Sequence, residues 1–141
     1  GEERFHRRIA KRIVEERRHK EISTTAELSD VILRSLPYSH NKYKIHPATR
    51  TFQAIRIKVN DELGSIQEAL NALPETLEKG ARACVISFHS LEDRIAKNTF
   101  KEFKAQGLFN ILTKKPIAAK EVEAISNPRS RSAKLRAVER I

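Results

Sequence analysis

The stretch GARACVISFHSLEDR, residues 80–94, decides the predicted fold of this chain. It contains a short run of apolar and β-branched side chains, residues 83–88, which a glycine precedes and a polar cluster follows. A continuous apolar run of this length is typical of a strand that is buried on both faces, as in a parallel sheet. Helical spacing follows, so we expect a helix over residues 90–104 with Ser90 as its cap. The polar end of the strand therefore lies where open α/β sheets bind their ligands.

The composition indicates a highly charged chain that is long enough to form a hydrophobic core. The 141 residues are 39% hydrophobic and 33% charged, and 28 basic against 18 acidic residues give a net charge of +10. Such a charge favours a polyanionic partner, most simply nucleic acid. No apolar run approaches the roughly 20 residues that span a bilayer, and Gly1 begins no signal peptide, so we expect a cytoplasmic protein with no membrane contact. The single cysteine, Cys84, lies in the apolar run and is expected to be buried.

The first 60 residues predict helices. Apolar residues with helical spacing mark one helix over residues 2–20 and a second one that begins at a capping box, Thr24 with Glu27. The second helix ends at Pro37, and a polar loop is expected over residues 37–43. This part of the chain therefore predicts an all-helical segment.

A third helix is expected over residues 49–63, and polar side chains lie at both of its ends. Pro47 excludes helix at His46 and favours the first helical turn after it. His46 and Arg50 are therefore predicted near a helix N-terminus, a position that favours anions. Asn60, Asp61 and Glu62 follow at the other end. Such a triplet is typical of a solvated helix end, and a catalytic role is the alternative interpretation.

The remaining residues predict an α/β arrangement. Gly64 interrupts the helical pattern, a further helix over residues 65–77 breaks near Pro74, and a glycine at position 80 leads into the strand. Strands are also expected over residues 108–113 and 132–141, with a short helix over residues 119–126 between them. Residues 114–140 contain eight basic and three acidic side chains, without interleaved aromatics, which is typical of a phosphate-binding segment.

Several kinds of catalytic or ligand site are excluded by spacing. The four glycines form no phosphate-binding loop, and five histidines with one cysteine show no zinc-ligand spacing, so no metal site is expected. His89, Ser90 and Asp93 suggest a hydrolase triad, but neighbours on one turn rarely reach the required geometry, and no G-x-S-x-G turn is present.

Four blocks in order carry a specific resemblance to a known family: HPATRTFQAIRIKVNDEL (46–63), ISFHSLEDR (86–94), LTKKPI (112–117) and NPRSRSAKLRAVER (127–140). Together they closely resemble the MraW-type family of S-adenosylmethionine-dependent methyltransferases. The family modifies the exocyclic amine of a cytosine in the decoding region of 16S ribosomal RNA. The resemblance extends from Gly1 to Ile141 and covers only the C-terminal part of the family.

The resemblance implies an α/β fold in two parts. Residues 1–60 would be a helical insertion that contributes to the substrate site, and residues 61–141 the C-terminal part of a Rossmann-like class I methyltransferase sheet. The strand over residues 83–88 would be the fifth strand, and the last two strands would form an antiparallel hairpin. With the fourth strand absent, the edge of the strand from Ala83 to Phe88 would be open, so we expect this chain to pair with itself or with its missing half, or to rearrange to cover that edge.

The resemblance also implies what the chain binds. S-adenosylmethionine would serve the complete enzyme, but no cofactor-binding residue can be assigned here, so we expect the isolated segment to be inactive and to bind no cofactor. The partner would be small-subunit ribosomal RNA, and a catalytic base is unassigned. Substrate-orienting candidates are His46, Arg50, Asn60, Glu62, Ser87, His89 and Ser90, and candidates for RNA-phosphate contacts are Lys114, Lys115, Arg129, Arg131 and Lys134. The alternative is a non-catalytic basic module for RNA binding or ribosome assembly.

Overall fold

A computed structural model of the chain describes residues 3–37 and 45–141, and the backbone divides into two compact units. The first unit is Gly1–Asn60 and the second is Asp61–Ile141. The identity of the first unit as a helical insertion, and of the second as part of a methyltransferase sheet, stays a prediction. Apart from Pro37, the loop expected over residues 37–43 lies outside the described residues.

The first unit is helical, as its sequence predicts. It contains α1 (His6–His19), α2 (Thr25–Ser35) and α3 (Thr49–Val59). The expected capping box at α2 is confirmed, because the Thr24 hydroxyl accepts the Glu27 N–H at 3.2 Å while the Glu27 carboxylate accepts the Thr24 N–H at 3.2 Å. The core of this unit is formed by buried apolar side chains from these helices and from the segment before α3, namely Ile9, Ile32, Leu36 and Ala48.

The joint between α3 and the next helix differs from the prediction. Helix α3 ends at Val59, and α4 (Glu62–Asn71) begins before Gly64 rather than after it. The chain reverses at Asp61, whose φ of +47° is in the left-handed region that Asp tolerates. A Cβ at Gly64 would lie 2.4 Å from an Asp61 carboxylate oxygen, so a larger residue at this position would displace the Asp61 side chain. The expected single helix over residues 49–63 was wrong because apolar spacing does not reveal this reversal.

The second unit contains a small antiparallel sheet. Its strands are β1 (Arg82–Ser87), β2 (Phe109–Ile111), β3 (Ile117–Ala118) and β4 (Lys134–Arg140), and β4 lies between β1 on one side and β2 with β3 on the other. The antiparallel pairing of the last two predicted strands is confirmed by the register of β2 against β4. All strand pairs in the described ranges are antiparallel, so the expected parallel sheet is not observed in this part of the chain.

Helices cover one face of this sheet. Helices α4 and α6 (Ser90–Ala105) enclose a core of buried side chains, and a short α5 (Leu73–Thr76) follows the break expected near Pro74. Helix α7 (Glu121–Ser126) and a 3₁₀ helix (Pro128–Ser132) lead into β4. The core residues are Leu70, Ala96, Phe100, Phe103, Phe109 and Val138.

The two faces of β1 have different environments. Ala83 and Val85 pack against the core, but Cys84 is exposed and Ile86 is 57% exposed. The predictions of a strand buried on both faces and of a buried Cys84 were therefore wrong for this chain. An unbroken apolar run shows that both faces of a strand are apolar, but it does not show that this chain supplies cover for both.

The exposed side of the sheet forms a row that crosses three strands. Ile86 of β1 is opposite Leu135 of β4, which is opposite Ile117 of β3. Directly opposed residues share one face of a sheet, so these three side chains form a continuous apolar row, called the open row below. Ile117 is 58% exposed and Leu135 half-buried.

Within the two described ranges, no helix has the length and apolar character needed to cross a membrane.

Candidate functional site

The strand end that the sequence singles out begins with a buried serine. Ser87, the last residue of β1, is 3% exposed, and its hydroxyl donates to the Lys134 carbonyl oxygen at 3.4 Å. Ser87 and Lys134 are also register partners. The Ser87 side chain therefore contacts β4, and its expected role in substrate orientation stays a prediction.

His89, rather than Ser90, caps the following helix. The imidazole Nδ1 accepts the Glu92 N–H at 3.3 Å, while the Glu92 carboxylate accepts the N–H groups of Phe88 at 2.8 Å and His89 at 3.2 Å. This is a capping box with histidine in place of the usual hydroxyl residue. Ser90 is the first helical residue and is exposed, so the prediction that Ser90 is the cap was wrong. The ring nitrogen competes successfully because its lone pair is as good an acceptor as a hydroxyl oxygen.

Three titratable side chains converge at the end of β1. One nitrogen or carboxylate oxygen from each of Glu62, His89 and Glu92 lies within 4.8 Å of the others, and all three residues are half-buried. Glu62 is the first residue of α4, which packs against α6. We call these residues the Glu–His–Glu cluster. The sequence singled out Glu62 and His89 separately and missed Glu92, although the His-x-x-Glu spacing is that of a capping box.

The tautomer of His89 determines what this cluster can do. Because Nδ1 accepts the Glu92 N–H, the neutral ring carries its proton on Nε2. That atom is buried and lies 3.3 Å from the second Glu92 carboxylate oxygen, but not in hydrogen-bonding geometry. A metal ligand must offer a free lone pair, so this donor set does not fit a metal ion. The cluster can instead accept hydrogen bonds through its carboxylates and donate one through His89 Nε2.

An ion pair fixes the first turn of α6 to the sheet. The Arg136 guanidinium donates to both Asp93 carboxylate oxygens, at 2.7 and 3.1 Å, and both side chains are nearly buried. These hydrogen bonds hold the pKa of the Asp93 carboxyl below its usual value. Asp93 therefore faces Arg136 and does not orient His89, which agrees with the rejection of a hydrolase triad.

The basic segment approaches the same end of the sheet. Because β4 runs antiparallel to β1, the start of β4 lies beside the end of β1, and the 3₁₀ helix with the exposed Arg129 and Arg131 leads directly into it. Lys114 and Lys115 are exposed in the segment between β2 and β3. Lys134 differs from these four, because its ammonium group lies 3.9 Å from Asp93 and is partly neutralised.

The other three substrate-orienting candidates belong to the first unit. His46 is exposed, and its Nδ1 accepts the Ala48 N–H at 3.3 Å just before α3. Arg50 is exposed in the first turn of α3, so the expected position at a helix N-terminus is confirmed for both residues. Asn60 is the C-cap of α3. A common site for these residues and the Glu–His–Glu cluster stays a prediction.

The described glycines give no cradle for a nucleotide cofactor. Gly64 lies inside α4 beneath the Asp61 carboxylate, and Gly80 and Gly107 take positive φ values of 82° and 70° in turns that lead into strands. A phosphate-binding loop would follow a strand and open a helix. None of these three glycines lies in such a loop.

These features define an α/β unit with a polar cluster at a strand end, a basic segment beside it, and a helical unit before it. The chain belongs to the MraW methylase family, whose sequence model matches residues 1–141. It is 55% identical over its whole length to the ribosomal RNA small subunit methyltransferase H of Sulfurihydrogenibium azorense, and covers 48% of that protein. The proteins of the same name from Acidobacterium capsulatum and Nostoc punctiforme are 54% and 52% identical, with 46% and 45% of their lengths covered. The chain therefore spans about half the length of the curated relatives it matches.

Proposed function

We propose that this chain is part of an S-adenosylmethionine-dependent methyltransferase that modifies the exocyclic amine of a cytosine in 16S ribosomal RNA. The observation that carries the proposal is the family match over all 141 residues, which includes the residues of the Glu–His–Glu cluster. The net charge of +10 supports an RNA substrate. The names of the relatives, which specify small-subunit ribosomal RNA, support the substrate class.

The Glu–His–Glu cluster would orient the amine. An exocyclic amine is a weak nucleophile whose two N–H groups must be held, and one of its protons must leave during methyl transfer. In this proposal the Glu62 carboxylate accepts one amine N–H, while His89 and Glu92 fix the end of β1 beside it. His46, Arg50, Asn60, Ser87 and Ser90 are proposed to shape the same substrate site. The cytosine would be unpaired or flipped out of its stack to reach it.

The cofactor would be held by a part of the protein outside this chain. The chain covers 48% of the Sulfurihydrogenibium azorense relative, and none of its described glycines lies in a loop that leads from a strand into a helix, so we expect the isolated 141 residues to be inactive and to bind no S-adenosylmethionine. Isothermal calorimetry with the isolated chain tests this expectation. Micromolar binding of the cofactor would contradict it.

The open row and the unpaired edge of β1 would receive the rest of the protein or a second copy of the chain. Ile86 and Phe88 are 57% and 52% exposed, and among the described residues β1 has only β4 as a neighbour. Such an edge favours pairing with another strand. Sedimentation of the isolated chain should therefore show self-association, and Ile86→Lys should reduce it. A monodisperse monomer with protected β1 amides would count against this part of the proposal.

The exposed lysines and arginines near the sheet end would bind phosphates. Replacing Lys114 and Lys115 with alanine in the complete protein should weaken RNA binding and lower the slope of log K against log salt by about 1.4 to 1.8, because two phosphate contacts are lost. Arg129, Arg131 and Lys134 would contribute in the same way. An unchanged slope would remove Lys114 and Lys115 from the interface.

The central test is Glu62→Gln in the complete protein, with Glu68→Gln as the matched control. Both residues lie on α4, but Glu68 is exposed and belongs to no described cluster. Loss of a group that assists proton removal should lower kcat about 100-fold with a small change in KM, and Glu68→Gln should leave both unchanged. The assay is methyl incorporation into small-subunit ribosomal RNA.

The basic character of the chain also favours a second candidate, a non-catalytic module for RNA binding or ribosome assembly. The methyl-incorporation assay distinguishes this module from the methyltransferase. A complete protein that binds the RNA but transfers no methyl group would support the module and reject the methyltransferase.

A further inference from the structure

One side of α1 carries a row of exposed cations. Arg7, Arg8, Lys11 and Arg18 are exposed, and helical geometry places all four on this side of α1. We call this set the α1 basic stripe. Arg7 and Arg18 are eleven residues apart, just over three full turns, so their side chains project in nearly the same direction over roughly 16 Å.

The cations of the stripe are largely without acidic partners. No described carboxylate lies within ion-pair distance of Arg7, Arg8 or Arg18, whereas Arg12, one turn after Arg8, pairs with Glu16 at 2.9 Å. Lys11 pairs with Glu15 at 4.0 Å, at the limit of an ion pair. The stripe is therefore predominantly positive.

Helix stability does not explain the cations at the start of the stripe. Arg7 and Arg8 lie in the first turn of α1, which contains no acidic residue. Cations at this end oppose the helix dipole and destabilise the helix. The Glu3 carboxylate accepts the Phe5 N–H at 3.0 Å, and it forms no ion pair with the described cations of the stripe. An anionic ligand would remove this unfavourable charge arrangement.

We infer that the α1 basic stripe binds the phosphate backbone of RNA, independently of base sequence. The inference rests on the proposed function only in its choice of RNA as the polyanion. A membrane surface fits less well, because the apolar side of α1, with Ile9 and partly buried Ile13, packs inside the first unit and is not available to lipid. The stripe supplies charge without an apolar face.

The test compares two doubly substituted forms of the 141-residue chain with equal net charge. Arg7→Gln with Arg18→Gln removes two cations of the stripe, and Arg17→Gln with Lys58→Gln removes two exposed cations elsewhere in the first unit. Fluorescence anisotropy with a 20-nucleotide oligouridylate between 50 and 200 mM salt should show the slope of log K against log salt falling by about 1.4 for the stripe variant. The control slope should not change.

Thermal unfolding distinguishes binding from a structural role. The stripe variant should have an unchanged Tm, because glutamine forms helix about as well as arginine, and losing the unfavourable first-turn Arg7 offsets losing the favourable last-turn Arg18. Three results would overturn the inference. The first is an equal slope for both variants, and the second is a lowered Tm that accounts for the lost binding. The third is loss of binding to anionic phospholipid vesicles with RNA binding retained. If oligouridylate binding depends on the α1 basic stripe but the complete protein methylates no ribosomal RNA, the proposed function is rejected and the inference about the stripe stands.

Discussion

Helices α2 and α6 begin in the same way but in different surroundings. Each has a capping box, formed by Thr24 with Glu27 at α2 and by His89 with Glu92 at α6. At α2 the glutamate is bound by the exposed Lys20 ammonium at 2.6 Å, and every group in the box has a capping or pairing role. At α6 the cap leaves a buried ring nitrogen beside a second carboxylate, Glu62. A motif that only starts a helix in one unit is therefore also part of a cluster of titratable side chains in the other.

The largest expected difference between the two helix starts is the stability that their neighbouring ion pairs contribute. Asp93→Asn removes charge-assisted hydrogen bonds from a nearly buried pair and leaves Arg136 unsatisfied, so it should lower the free energy of unfolding by about 2 kcal/mol. Lys20→Gln breaks an exposed pair, so it should lower the unfolding midpoint much less. Urea unfolding of both variants makes the measurement. Equal losses of stability in the two variants would show that the burial of the Asp93–Arg136 pair does not make it more stabilising than the Lys20–Glu27 pair.

Replacing the histidine cap by another good cap should separate capping from function. His89→Asn keeps a side-chain acceptor at the N-cap, so stability should change by less than about 0.5 kcal/mol. The buried ring nitrogen is lost, and kcat of the complete protein should fall about tenfold. Thr24→Asn is the matched control and should alter neither quantity. Full activity of His89→Asn would show that His89 only caps α6, as Thr24 caps α2.

Deleting the cap of α2 should have a local, purely structural effect. Thr24→Ala removes the acceptor for the Glu27 N–H and should cost about 1 kcal/mol. Amide hydrogen exchange should report this loss in α2, with α6 unaffected and methylation by the complete protein unchanged. A loss of activity would mean that the α2 start also serves the reaction.

Acid should weaken the α2 box by a small amount. The Lys20 ammonium, with the Ser23 and Thr24 N–H groups, lowers the Glu27 carboxyl pKa from 4.5 to about 2. A pKa that is lower in the folded state stabilises the fold above the unfolded pKa, and this contribution is lost as pH falls from about 4.5 to 2. The Tm difference between the wild type and Glu27→Gln should therefore narrow over that range. A constant difference would contradict the role of the charge.

The same two helix starts show what the sequence can predict. The Thr24–Glu27 box was predictable because threonine and glutamate at this spacing form the commonest capping box. At α6 the hydroxyl of Ser90 was the expected cap, and histidine took the position through a ring nitrogen that capping statistics rarely include. Local patterns therefore located both helix starts within a residue, but not the capping group of α6.

Contacts between distant residues were less predictable. Glu62 and His89 were both candidates, yet their proximity depends on how α4 packs on α6, which no local pattern specifies. The reversal at Asp61 and the close approach of its side chain to Gly64 were missed for the same reason, because such contacts appear only in three dimensions. The apolar run of β1 predicted the strand correctly, but not which of its faces this chain covers.

The exposure of Cys84 gives the open side of the sheet a chemical reporter. It is the only thiol in the sequence, and it lies on β1 two residues before Ile86, on the same face as the open row. The rate at which an alkylating reagent modifies it therefore measures directly whether that face is covered. Fast labelling of the isolated chain and slow labelling of the complete protein would give a single-site assay for assembly of the sheet, which needs neither RNA nor cofactor.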